Sequence, residues 1–196
     1  MTAFLYLTSM KIILTICSLL LVASAGAQTD VTLFDRHIDA QGAYIVEEFV
    51  SLLEIPNVAY DLPNINKNAQ YIMGELAERG VSTQLLEHPG VPPIVYGYLA
   101  SKKATRTLAF YVHYDGQPVD KTRWKHDPWM PKMYDKSLAE GGVEIPFPKK
   151  GEKIDPSSRI YARSAGDDKG PIIGILAAID AMQAEGIEPT SNFVFF

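Results

Sequence analysis

Apolar residues recur at helical spacing in three segments of the chain. Residues 31–53 carry a stripe that ends before Pro56, and residues 64–79 carry a second stripe that ends at Gly80. Glycine readily adopts the left-handed conformation with which many helices end. A third stripe runs over residues 171–186 and begins with a proline, whose fixed φ suits the first helical position. These periodicities predict three amphipathic helices.

Short apolar runs predict strands at residues 81–86, 94–99, 108–112 and 192–196. The run at 108–112 is nearly unbroken, as expected of a strand covered on both faces, so we expect it at the centre of its sheet. Helices that alternate with strands indicate the α/β class. The polar, proline-rich stretch 116–158 shows no sustained periodicity, which predicts a long loop with a functional role.

The last predicted strand coincides with the end of the 196-residue sequence. In an α/β sheet, a buried strand is normally followed by a turn and a covering helix. We therefore expect this chain to be a fragment of a longer protein.

The first 27 residues have the pattern of a secretory signal peptide. Lys11 precedes the apolar run 12–22, and small residues follow up to Ala27. We expect cleavage after Ala27, export to the periplasm or the extracellular space, and a mature segment 28–196 without stable membrane insertion. An uncleaved membrane anchor is the alternative, although the run is short for a span. Met10 is an alternative start to Met1.

Composition and charge restrict the classes of function. With 47% hydrophobic and 21% charged residues, the chain is expected to fold rather than to be disordered. A formal net charge of −5 leaves no basic excess for a phosphate backbone, which argues against a nucleic-acid partner. The single cysteine, Cys17, excludes a disulfide framework, a multi-cysteine zinc site and an iron–sulfur cluster. Histidines and carboxylates must therefore hold any metal.

The first candidate motif is His113-Tyr114-Asp115, at the end of the predicted strand 108–112. The two-residue period of a strand turns His113 and Asp115 toward the same side. A carboxylate bound to one imidazole nitrogen fixes the tautomer and presents the other nitrogen to a metal. The alternative is a histidine satisfied by local hydrogen bonds.

The second candidate motif is Ser164-Ala165-Gly166-Asp167-Asp168-Lys169-Gly170-Pro171, just before the third helix. Helix capping alone would account for one aspartate. Two adjacent ionised carboxylates repel each other, and a cation would relieve that repulsion. Together the two motifs favour a metal site.

These motifs, with Trp124 and Asp127-Pro128-Trp129 between them, resemble the co-catalytic zinc metallopeptidases of the aminoacylase, carnosinase and glutamate carboxypeptidase family. The resemblance extends weakly from about Ile38 to Phe196. It implies the N-terminal part of a three-layer α/β/α catalytic domain, without the smaller lid or dimerisation domain. It also implies a homodimer for the complete protein.

The resemblance further implies a role for each motif residue. His113 would bind one zinc ion, Asp115 would be the catalytic residue that orients its imidazole, and Asp167 would bridge two zinc ions. Asp168 would shape the turn. The general-base glutamate and the remaining zinc ligands would follow after Phe196.

The expected function is zinc-dependent hydrolysis of a peptide or N-acyl amide bond in a dipeptide or N-acyl amino acid. The chain alone is expected to be inactive. Two alternatives stay open at this point: an aminopeptidase-type di-zinc hydrolase without a lid domain, and a non-catalytic metal-binding remnant. The other histidines, His37, His88 and His126, are weaker candidates for a metal.

Overall fold

The computed structural model describes residues 32–196, in which three α-helices flank or follow short strands. The helices are α1 (Thr32–Glu54), α2 (Leu62–Glu78) and α3 (Gly170–Ala184). The strands are β1 (Ser82–Leu86), β2 (Ile94–Leu99), β3 (Arg106–Phe110), β4 (Lys132–Tyr134), β5 (Glu144–Ile145), β6 (Arg159–Tyr161) and β7 (Ser191–Phe195). The predicted signal peptide, Cys17 and the first four residues of the mature segment lie outside the described residues.

The three helices lie where the apolar periodicity predicts them. Asp61 caps α2, since its carboxylate accepts a hydrogen bond from the backbone N–H of Asn64 at 3.4 Å. Gly80 follows α2 with φ +75°, the left-handed conformation predicted for it. No described helix is both long and apolar enough to cross a membrane.

The main sheet has four strands in the order β1-β2-β7-β3. Strand β7 pairs with β3 in parallel and with β2 in antiparallel register. The central position predicted for 108–112 is therefore wrong within the described residues, because β3 lies at the edge and Leu108 is 41% exposed. An apolar run indicates which faces of a strand avoid water, but it carries no information about backbone neighbours.

A second sheet, in the order β5-β4-β6, lies within and just beyond the predicted loop 116–158. Its strands contain two or three residues each. The prediction of an entirely irregular loop is wrong here, because a strand this short cannot establish a two-residue period in the sequence.

One hydrophobic core joins the main sheet to all three helices. Val95 and Phe195 from the sheet pack with Leu52 of α1, Leu76 of α2 and Leu176 of α3. The mixed α/β class is thereby confirmed, and this core defines two of the predicted layers, the sheet and one helical layer.

A buried ionic cluster links the three helices next to this core. Arg79, just after α2, is bonded to Glu48 of α1 at 2.6 Å, to Glu75 of α2 at 2.8 Å and to Asp180 of α3 at 2.8 Å. Glu48 is 5% exposed, and its Oε2 has no hydrogen-bond partner. Burial raises the pKa of Glu48 to about 7, against the lowering effect of Arg79.

Candidate metal centre

His113 and Asp115 lie just beyond the carboxyl end of β3, where ligands bind in open α/β sheets. The Nδ1 atom of His113 lies 3.2 Å from Oδ1 of Asp115 and 3.1 Å from the backbone oxygen of Asp115. The predicted contact is therefore present. Because β3 ends at Phe110, the backbone that brings the two side chains together is irregular, and the contact does not arise from the alternation of side chains along a strand.

Asp167 reaches the other side of the same imidazole. Its Oδ1 lies 2.9 Å from Nε2 of His113, although 54 positions separate the two residues. The side chain of Asp167 is 89% exposed and that of His113 is 36% exposed, so the pair is open to solvent. The structure thus brings the two predicted metal ligands together.

The turn Ala165–Lys169 places Asp167 at the start of α3. Its backbone is not helical at Asp167 or Asp168, and the peptide bond between these two residues is cis. Gly170 allows the turn to close, because a Cβ atom there would lie 2.6 Å from the backbone oxygen of Ala165. Asp168 makes no contact with the imidazole of His113 comparable to that of Asp167.

Asn57 ties the two motifs together, and it is a residue that sequence analysis missed. Its fully buried amide donates to the backbone oxygen of Tyr114 at 2.9 Å and to Oγ of Ser164 at 3.0 Å. The backbone N–H of Gly116 donates to the oxygen of Asn57 at 2.6 Å. Asn57 thus fixes the loop of His113 against the loop of Asp167. No period or motif marks a single asparagine after a helix, so the sequence carries no signal for it.

Lys169 is a second positioning residue, and its place in the motif predicts no role for it. Its side chain is fully buried, and Nζ donates to the backbone oxygens of Leu52 and Ile55, both at 2.7 Å. Burial lowers the pKa of Lys169 to about 7. These bonds anchor the turn Ala165–Lys169 to the carboxyl end of α1, where the helix dipole favours a cation.

The hydrogen bonds of His113 control its protonation. Burial lowers the pKa of His113, but the backbone oxygen of Asp115, the carboxylate of Asp167 and the charges of Asp115 and Asp168 outweigh it, so the net pKa is raised. Both ring nitrogens face acceptors, and the imidazolium form satisfies both. A metal would replace the proton on Nε2, and Asp115 would keep the proton on Nδ1.

The two donor atoms are of kinds that bind zinc. Imidazole nitrogen and carboxylate oxygen are zinc ligands at about 2.0–2.2 Å. Nε2 of His113 and Oδ1 of Asp167 lie 2.9 Å apart. A small increase in this distance would allow one ion to bind to both atoms. Residues 32–196 bring together no group of three or more histidine, cysteine and carboxylate side chains that could hold a metal. The described residues thus supply a pair of donors.

The other histidines take no part in this arrangement. His88 lies 3.1 Å from the backbone oxygen of Pro89, and His126 lies 3.0 Å from that of Asp127. His37 lines a separate cavity beside Arg79 and Asp180.

Two curated relatives match most of the chain. It is 30% identical over 178 residues to the Cys-Gly metallodipeptidase DUG1 of Candida albicans, a match that covers 83% of this chain and 32% of that protein. It is 28% identical over 164 residues to the Cys-Gly metallodipeptidase dug1 of Schizosaccharomyces pombe, covering 76% of this chain and 30% of that protein. The chain thus spans about a third of the length of these relatives. No family model matches it.

Solved structures give the same relationship. The dipeptidase Dug1p of Saccharomyces cerevisiae has a TM-score of 0.65 at 21% identity, over 85% of this chain and 34% of that one, which supports the fold. The M20 family metallo-carboxypeptidase Sso-CP2 of Sulfolobus solfataricus has a TM-score of 0.57 at 27% identity, over 77% of this chain and 29% of that one. The chain is therefore homologous to the M20 family of metallopeptidases over about a third of their length, and this is the family that its two motifs resemble.

Proposed function

We propose that this chain forms part of the catalytic domain of a zinc-dependent dipeptidase or exopeptidase. The observation that carries the proposal is the convergence of Asp115 and Asp167 on opposite nitrogens of His113. Zinc, when bound, would supply Lewis-acid polarisation of the scissile carbonyl and a water of lowered pKa. The relationship to Cys-Gly metallodipeptidases supports dipeptides as substrates.

The chain's own residues have separable roles in this proposal. His113 would hold zinc through Nε2, and Asp167 would hold it through its exposed carboxylate. Asp115 holds the Nδ1 proton and so fixes the orientation of the ring. Asn57 and Lys169 hold the two loops at the required separation.

The 196-residue chain is expected to show no appreciable turnover by itself. Each zinc ion needs about three protein donors plus water, and His113 with Asp167 cannot complete two ions. General acid–base assistance is typically worth ~10²- to 10⁴-fold in rate, and we place the glutamate that gives it in the remaining two thirds of the M20 framework. We also propose homodimerisation of the complete protein and export directed by residues 1–27.

A chimaera tests the function directly. Residues 32–196 replace the matched third of the Candida albicans DUG1 protein, and hydrolysis of Cys-Gly is measured with zinc. We expect turnover that is lost in the His113→Ala and Asp167→Ala variants and retained in the His37→Ala control. A chimaera that folds, binds zinc at His113 and Asp167 and still fails to hydrolyse Cys-Gly would identify this segment as a non-catalytic metal-binding remnant.

A further inference from the structure

A polar cavity of about 290 Å³ opens beside the loop that follows Asp115. The residues that line it come from that loop and from the segment before Asp167; they are Pro118, Val119, Asp120, Arg123, Trp124 and Arg163.

Two arginines are among the lining residues, and neither has an acidic partner. Across the described part of the chain, neither Arg123 nor Arg163 has a carboxylate within 4.0 Å. The Nε atom of Arg163 is buried and has no hydrogen-bond partner. A buried donor without an acceptor is costly, and a ligand that supplies the acceptor recovers that cost.

Asp120, the one carboxylate among the lining residues, is engaged elsewhere. Its Oδ1 accepts from the backbone N–H of Thr122 at 3.0 Å and from Oγ1 of Thr122 at 2.6 Å. It therefore caps its own turn and leaves both arginines unpaired. The lining residues carry a net positive charge, and Trp124 is the aromatic residue among them.

The cavity shares both of its loops with the candidate metal centre. Arg163 precedes Asp167 by four residues, and Pro118 follows Asp115 by three. The backbone N–H of Arg163 donates to the oxygen of Pro128 at 2.7 Å, which fixes its backbone. Asn57 bonds the residue after His113 to the residue after Arg163. The cavity and the candidate metal centre therefore lie on the same two loops.

We propose that this cavity binds a carboxylate of a peptide ligand, with Arg163 as the forked donor and Arg123 as the second positive charge. A planar guanidinium matches a carboxylate with two parallel hydrogen bonds, which a point charge cannot reproduce. The class of ligand is a carboxylate-bearing peptide or N-acyl amino acid, and this identification rests on the proposed function. The carboxylate comes from either the ligand's C-terminus or an acidic side chain.

Trp124 provides a direct readout of binding. The chain has two tryptophans, so the Trp129→Phe variant of the full chain reports on Trp124 alone. Fluorescence is titrated with three probes: acetylglycine, the α-amide of acetylglutamate, and neutral acetylglycinamide. We expect saturable quenching by one or both carboxylates and none by the neutral amide. Acetylglycine reports a C-terminal carboxylate, and the glutamate α-amide reports an acidic side chain.

Variants of Arg163 test whether its guanidinium group holds the carboxylate through two hydrogen bonds. Arg163→Gln is expected to weaken carboxylate binding by about tenfold or more, Arg163→Lys by an intermediate factor, and the remote Arg36→Gln control not at all. If the Trp129→Phe variant does not fold, calorimetric titration of the unmodified chain and of Arg163→Gln replaces fluorescence. Equal binding of the neutral amide, no saturable binding of either carboxylate, or unchanged binding by folded Arg163→Gln would overturn the proposal.

Repeating the titration after dialysis against 1,10-phenanthroline removes zinc without adding a carboxylate. We expect unchanged affinity, because the cavity and not the metal holds the ligand. Binding that disappears with the metal would assign the carboxylate to the metal centre and contradict this site. The titration measures binding and not hydrolysis, so its result does not depend on whether the protein is an active peptidase.

Discussion

At the scale of single residues, the centre depends on atoms that hold two loops at a fixed distance. His113 and Asp167 carry the proposed metal chemistry, but Asn57 sets their separation through its bonds to Tyr114 and Ser164. Ser164 itself has φ +62°, a left-handed conformation that is unfavourable for a residue with a side chain. Its bond to Asn57 helps to stabilise that conformation.

Replacing Asn57 by alanine is expected to loosen the centre. The oxygen of Tyr114 and Oγ of Ser164 would lose a buried donor, at a cost of about 1–3 kcal/mol in the free energy of unfolding. Zinc affinity should fall about tenfold or more, as for other residues that support metal ligands. Urea unfolding and equilibrium dialysis with zinc measure both effects. The exposed Asn66→Ala variant is the control, and equal behaviour of the two variants would contradict this role.

Gly116 allows the close approach of the same loops. An added Cβ atom would lie 2.7 Å from Oγ of Ser164, so Gly116→Ala should destabilise the protein by about 1–3 kcal/mol and weaken zinc binding. Gly74 provides a matched control, because a Cβ there meets nothing within 4 Å. Gly74→Ala in helix α2 should gain up to about 1 kcal/mol. Equal unfolding midpoints for the two variants would contradict steric crowding between residue 116 and Ser164.

At the scale of elements, the helices were predictable and the sheet order was not. The apolar stripes of α1, α2 and α3 repeat over several turns and therefore leave a clear period in the sequence. The edge position of β3 depends on its pairing with β7, 85 residues further along the chain, and composition does not encode that pairing. The family resemblance of their motifs implies that His113 and Asp167 share a site, whereas the roles of Lys169 and Asn57 are visible only in the folded structure.

The buried carboxyl of Glu48 makes the stability of the packed helices depend on pH. Its pKa is about 7 in the folded protein and 4.5 ordinarily, so between these values the folded protein retains a proton that the unfolded chain releases. The stabilisation from Glu48 is therefore full below pH 4.5 and is lost as pH rises through 7. The charged and titratable groups that act on this carboxyl are Arg79, Glu75, Tyr44 and Tyr71, and Asp180 pairs with the same Arg79.

The Glu48→Gln variant removes this titration. We expect the stability of the unmodified protein relative to Glu48→Gln to fall by on the order of 2 kcal/mol between pH 4.5 and 8. Urea unfolding of both proteins across this range measures the difference. A Glu185→Gln variant controls for the general effect of removing an acid, and a difference that does not vary with pH would contradict the raised pKa.

At the scale of the whole molecule, residues 1–27 predict that the protein is exported. The small residues up to Ala27 after the apolar run 12–22 predict a mature N-terminus at Gln28. N-terminal sequencing of exported protein tests this prediction. A mature protein that retains residues 1–27 would favour the membrane-anchor alternative.

The proposed function depends on the sharing of one zinc ion by His113 and Asp167. Anomalous diffraction at the zinc edge, from crystals of the full chain grown with zinc, tests it most directly. We expect a peak about 2.0–2.2 Å from both Nε2 of His113 and an oxygen of Asp167, with Asp115 still bonded to Nδ1. A direct hydrogen bond between His113 and Asp167 in crystals whose zinc peak lies elsewhere would contradict it.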